Sequence, residues 1–168
     1  MEEKKVDWLS LLKGTAVGGV LLFLWNGLTQ SFTPWGIKSI KELEDQATIT
    51  ETIARASTNG VYYLKDKVTA FIAVKPEAYY SMPRYFTIEF VTEVLVGGVL
   101  TAILLLTSTE SIVTRLIIIG LVALAGIFSI DLQYWNWWGF SSIFTFGIAI
   151  NRLVGYLLTG FVLIKFIL

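Results

Sequence analysis

Four apolar runs, each long enough to cross a lipid bilayer, restrict this chain to a small set of folds: residues 9–28, 86–106, 112–130 and 139–168. About 20 apolar residues suffice for a crossing, and a helix satisfies its own backbone where no water can. With 168 residues, 55% of them hydrophobic, the chain has room for one bundle and one small module outside it. The expected fold class is a membrane all-α helical bundle of four transmembrane helices, with a small α+β extracytoplasmic module between spans 1 and 2. Residues 1–28 form a cytoplasmic N-terminus and the first helix, 29–85 the module, and 86–168 the remaining helices.

The first run follows Glu2-Glu3-Lys4-Lys5 and holds one early charge, Lys13, whose long stem can reach the interface. It ends in Trp25-Asn26-Gly27-Leu28-Thr29-Gln30 without a small-x-small cleavage pattern, which favours a retained anchor over a cleaved signal peptide. Residues 107–111 are so short a break that the second and third runs should form an antiparallel hairpin. The last region is longer than one perpendicular crossing needs. It is expected to start along the interface or as a tilted helix over 140–146, with the crossing proper over 145–166.

Short-loop charge sets the orientation. Lys4, Lys5, Lys13, Arg115 and Lys165 all fall on one side, while the opposite loop, 131–138, has no Lys or Arg. The positive-inside rule puts both termini in the cytoplasm and the module outside. The localisation this implies is a multi-pass protein of the bacterial inner membrane.

Within the module, Leu43, Ala47, Ile49, Ile53 and Ala56 make a helical stripe over 41–57, stopped at Asn59-Gly60. Residues 61–64 and 68–74 are β-branched and aromatic and flank Lys65-Asp66-Lys67, so two strands follow. Pro34-Trp35, Pro76 and Pro83 read as turns that join the module to the spans. So small a segment cannot bury a self-sufficient core, and its apolar side chains need cover from elsewhere. The nearest cover is the helix stripe of Leu43, Ile49 and Ile53 together with an interfacial aromatic rim of Trp25, Trp35, Trp135, Trp137 and Trp138. These tryptophans read as anchors at headgroup level more readily than as a platform for stacking a sugar or base. Asp131, beside the rim, either orients it or is simply solvated.

The charged residues inside the spans are the candidate site. Charge in hydrocarbon costs about 2.5 kcal/mol or more, so such groups face the bundle interior and pair. Glu89 and Glu93 lie one helical turn apart on one face, and Asn151 and Arg152 lie in the last span. Counting residues from the start of each span puts Glu93 and Arg152 within reach of each other. The expectation is an ion pair or hydrogen-bonded network that fixes helix register; a proton or ion path and simple interfacial placement of Glu89 are the alternatives. Asn151 should bond a different neighbour from Arg152. Gly14, Gly18, Gly19, Gly155 and Gly160 suit close helix approach, within the chain more readily than across a dimer.

Absences narrow function further. The chain has neither Cys nor His, so the usual ligands of haem, iron-sulfur clusters and structural zinc are missing, as are Cys-His and Ser-His-Asp pairs. Thirteen basic residues balance thirteen acidic ones, which leaves no field suited to nucleic acid. No nucleotide-binding glycine loop is present either. No catalytic residue, metal or cofactor is expected, and the partners are the lipid bilayer and other membrane proteins. The leading expectation is a non-enzymatic structural or accessory protein in assembly of a bacterial envelope complex. The alternative is a small proton or ion conductor using Glu89, Glu93 and Arg152, with a lipid-directed enzyme third.

Several landmarks carry a resemblance. They are Phe23-Leu24-Trp25-Asn26-Gly27 leading to Pro34-Trp35, then Asn59-Gly60-Val61-Tyr62-Tyr63-Leu64. They close with Tyr134-Trp135-Asn136-Trp137-Trp138-Gly139-Phe140 and Gly155-Tyr156-Leu157-Leu158-Thr159-Gly160-Phe161. In this order the chain resembles an uncharacterised family of small bacterial four-span integral membrane proteins with an aromatic Pro-Trp exit from the first span. It departs from that pattern at Gly36, where a polar ring residue is usual, and at Arg152, near an often acidic position. The resemblance implies fold and topology, and no activity.

Overall fold

The computed structural model describes residues 7–75, 79 and 81–168. The charges expected from Glu2 to Lys5 and the turn at Pro76 lie outside the described residues. Four helical stretches are long and apolar enough to cross a membrane, and a small two-stranded sheet lies between the first two.

Helix α1 spans Trp8–Phe32 and is capped by Asp7, whose carboxylate accepts from the backbone N–H of Leu9 and Ser10 at 3.1 and 3.2 Å. It runs past the expected end at Leu28 and stops where Thr33, the residue before Pro34, turns extended. Helix α2, Gln46–Ala56, begins later than the apolar stripe suggests because Asp45 caps it, accepting from Thr48 N–H at 3.3 Å. Strands β1 (Gly60–Lys65) and β2 (Thr69–Val74) pair antiparallel, from Gly60 opposite Val74 to Lys65 opposite Thr69.

Helix α3, Met82–Leu106, starts four residues before the apolar run does. Pro83, expected in a joining turn, sits in its first turn instead, where a missing N–H leaves no hydrogen bond broken. Helix α4, Ile112–Gly126, is capped by Ser111 and passes through one π-helical turn, Ile127–Asp131, into α5, Leu132–Trp138. The expected loop over 131–138 is therefore helix. It ends only at Gly139, whose left-handed φ of 70° is open to glycine at no steric cost. Helix α6, Ser142–Phe166, is capped by Ser141.

Helices α1 and α3 approach most closely, backbone to backbone. A Cβ built on Gly97 would lie 2.5 Å from the amide nitrogen of Gly19, and one on Gly18 would lie 3.1 Å from Cα of Gly97. The glycines thus serve packing within the chain. Helix α6 lies against α1, α3 and α4, with Gly160 facing Leu116 and Ile119 of α4. The expected α3–α4 hairpin is correspondingly loose, because each of its arms packs on α6 more than on the other. Leu22, Leu100, Leu104, Ile119 and Leu163 meet in the middle, each 1% exposed or less. Around the outside, Leu12, Leu24, Leu95, Ile117, Leu121 and Ile150 are exposed, the kind of surface a bundle presents to lipid.

Arg115, counted above as a loop charge, is buried at the start of α4. Its Nη2 donates to the carbonyl of Leu104 at 3.0 Å, which satisfies an end carbonyl of α3.

Candidate functional site

The polar groups of the long helices gather where α1, α3 and α6 meet, in the half of the bundle nearer the module. Asn151 of α6 is buried, and its Nδ2 donates to Oδ1 of Asn26 at 2.7 Å. Asn26 in turn donates through Nδ2 to Oε1 of Glu93 at 2.6 Å. Three helices are thereby linked by a chain of directed bonds that ends on a carboxylate, and a bond to a charged acceptor is the stronger kind. Trp25, next on α1, donates its indole N–H to the backbone carbonyl of Asn151 at 3.1 Å. Its ring lies on Gly155, where an added Cβ would meet the indole Cδ1 at 2.7 Å.

Arg152 does not meet Glu93. Its guanidinium spreads over Gly126 and grips Asp131 with two bonds, Nη2 to Oδ1 at 2.9 Å and Nε to Oδ2 at 3.1 Å. Asp131 is the last residue of the π turn and is buried, neither a solvated loop residue nor part of a rim. The extra residue in that turn rotates the helix by about a quarter-turn or more, which aims the Asp131 carboxylate at α6. The forked geometry suits a planar guanidinium and leaves Glu93 to the amide of Asn26.

Glu89, one turn before Glu93, is exposed, and its carboxylate makes no hydrogen bond or ion pair among the described residues. Between it and the asparagines lies a pocket of about 150 Å³. Glu89, Glu93, Asn26, Gln30, Asn151 and Arg152 supply its polar wall; Leu22, Ile148 and Tyr156 supply the apolar one. The Oδ1 of Asn151 is buried and has no partner among the described residues. Of the four residues singled out in the sequence, all line this pocket. Only Glu93 and Asn151 share one hydrogen-bond chain, and Asn26, which joins them, was missed. The signal available was its place one turn before Gln30, directly after the apolar stretch 16–25.

The tryptophans divide into two groups. Trp25 and Trp35 lie partly buried against α6, with Trp35 packed on Gly147 as Trp25 is on Gly155. Trp135, Trp137 and Trp138 are exposed or nearly so around the end of α5. Trp138 stacks on Phe71 of β2 with ring centroids 4.5 Å apart, an aromatic contact that ties the sheet to the helices. Within the module, Tyr62 accepts the Thr58 N–H at 2.9 Å and donates to the Thr58 carbonyl at 3.0 Å; hydrogen bonding to Thr58 draws its phenol below its ordinary pKa.

Compared with protein-family models, curated proteins and solved structures, the chain matches none. The resemblance to small four-span proteins thus rests on its motifs alone.

Proposed function

We propose that this protein is a non-enzymatic accessory subunit of a bacterial inner-membrane complex, with both termini cytoplasmic and the module outside. The observation that carries the reading is the module's lack of cover: from Ile37 to Lys75 no residue is buried. Helix α2 and strand β2 face each other across an open groove lined by Ile53, Ala54, Ile72 and Val74. Val61, Tyr63, Leu64 and Val68 stand exposed as well. Apolar surface left open on this scale is characteristic of a surface that meets a partner. The bundle, by contrast, is locked by glycine contacts and an ion pair, as a rigid mount for that surface needs to be.

A second reading, conduction of protons or cations, draws on the pocket with Glu89 and Glu93. Against it stands the apolar layer of Leu22, Leu100, Leu104 and Leu163, which closes the bundle beyond the pocket.

Purification in mild detergent after in-cell crosslinking tests the proposal. A stoichiometric partner is expected with the wild type and is lost with Ile53→Asp or Ile72→Asp, which leave the bundle untouched. Recovery of the chain alone, or proton flux in liposomes that Glu93→Gln abolishes in a folded protein, ends the accessory reading. Orientation is read separately by cysteine labelling. An impermeant reagent should modify Thr58→Cys and not Glu3→Cys in intact cells.

A further inference from the structure

We propose that the pocket between α1, α3 and α6 binds a primary ammonium group, carried by a lipid headgroup or by a small free amine. The charge balance asks for a cation. Arg152, although in the wall of the pocket, is engaged in both arms of its bond to Asp131, which leaves the carboxylates of Glu89 and Glu93 lining the space with no ion pair among the described residues. Glu93 spends Oε1 on Asn26, and the Glu89 carboxylate makes no hydrogen bond or ion pair among the described residues.

The acceptors are set for hydrogen bonding as well as for charge. Two carboxylates lie one turn apart on α3, with the Gln30 amide across from them on α1; Asn151, whose buried Oδ1 lacks a partner among the described residues, belongs to the same wall. An ammonium group carries three donors and can meet three of these acceptors, whereas a quaternary ammonium has none to give. A divalent metal fits less well. Among the described residues no three carboxylates come together, and hard cations call for six or more oxygen ligands.

Size and lining favour an organic cation over a bare ion. The volume of about 150 Å³ far exceeds what a dehydrated monovalent ion fills and holds an aminoethyl group with a few waters. Leu22, Ile148 and the ring of Tyr156 supply apolar wall for its carbon stem. Access is open because Glu89, in the wall of the pocket, is exposed.

Thermal unfolding of the full chain in nanodiscs, with tryptophan fluorescence as a second readout, tests the site. Nanodiscs of phosphatidylcholine are compared with ones containing phosphatidylethanolamine, and ethanolamine or choline is titrated into the phosphatidylcholine set. Stabilisation by phosphatidylethanolamine alone identifies a lipid headgroup; stabilisation by ethanolamine identifies a free amine; either supports the proposal. Glu89→Gln, which breaks no contact in the fold, should weaken the response about tenfold or more. The proposal is overturned if neither amine acts, if choline acts as well as ethanolamine, or if Na⁺ or K⁺ alone reproduces the effect. An undiminished response in folded Glu89→Gln overturns it too. Should that variant fail to fold, the ethanolamine-against-choline comparison on the wild type decides.

Discussion

Replacing Arg152 with Met removes the guanidinium and keeps most of the side chain's length, and its cost follows from what is left behind. Asp131 has a side chain only 7% exposed, and its two hydrogen bonds both come from Arg152. The variant therefore strands a buried carboxylate with no donor among the described residues. Breaking a buried pair in this way costs about 3–5 kcal/mol, a large share of the 5–15 kcal/mol that holds a typical domain. The converse change, Asp131→Leu, should cost less, because the Arg152 side chain is 26% exposed and its head can swing into the polar pocket. The double variant Asp131→Leu/Arg152→Met leaves no unpaired charge and should recover most of the loss, giving a coupling of roughly 2–3 kcal/mol. Reversible unfolding in mixed micelles, followed by tryptophan fluorescence, measures all three. Glu93→Gln serves as the comparison: it keeps an acceptor for the Asn26 amide, so its cost should stay near 0.6 kcal/mol, roughly the average for interhelical bonds. An Arg152→Met variant within about 0.5 kcal/mol of wild type, or strong coupling of Arg152 to Glu93 instead of Asp131, would refute the assignment of partners.

Other consequences can be checked directly. Gly97→Ala puts a methyl 2.5 Å from Gly19 N and 2.8 Å from the Gly18 carbonyl carbon, atoms of backbone that cannot swing aside. A loss of about 1–3 kcal/mol is expected in the same unfolding assay. Gly27→Ala, with nothing near the added carbon, should be close to neutral on packing grounds. Trp138→Ala removes the stack on Phe71, worth about 0.5–1.5 kcal/mol, and should speed limited proteolysis in β1 and β2 while the helices stay resistant. The hydroxyl of Ser10, then its backbone N–H, hold the Asp7 carboxyl below its ordinary value of 3.8. Its support of the first turn of α1 is thus present above that value and lost as pH falls through the lowered one. Helical chemical shifts at Leu9 and Ser10 should fade over that range in the wild type and show no such titration in Asp7→Asn. An excised fragment of residues 33–82 should be disordered or aggregate, since nothing between Ile37 and Lys75 is buried even in the whole protein.

The four long helices and the β-hairpin were legible because each depends on local pattern: run length, β-branched and aromatic content, and the Asn59-Gly60 stop. Helix ends were legible to the extent that caps could be seen: Pro34 marks the end of α1, whereas Gly139, read as the start of the last apolar region, in fact closes α5. What hydropathy could not show was azimuth. Asp131 read as the end of a span because a charge interrupts an apolar run, yet the helix carries on through the π turn and the charge faces inward to Arg152. Counting depth alone put Glu93 beside Arg152; it could not register which neighbour each helix face meets. Asn26 escaped notice for the same reason, since it was taken as part of an exit from α1 that comes a turn and a half later, at Phe32.

The central position of α6 bears on how the chain is made. It follows the other three long helices in the sequence, yet it supplies the Asn151 amide, the Arg152 counter-charge and the glycine seats for Trp25 and Trp35. Until it emerges from the ribosome, Asp131 has no guanidinium and Asn26 has no Asn151, so the partly made protein carries uncompensated polar groups at membrane depth. Insertion of the early helices is therefore expected to remain reversible or assisted, and the arrival of the final helix to commit the bundle. A nascent chain stalled before residue 142 is accordingly expected to stay open to membrane quality control, and one that includes α6 to close on itself.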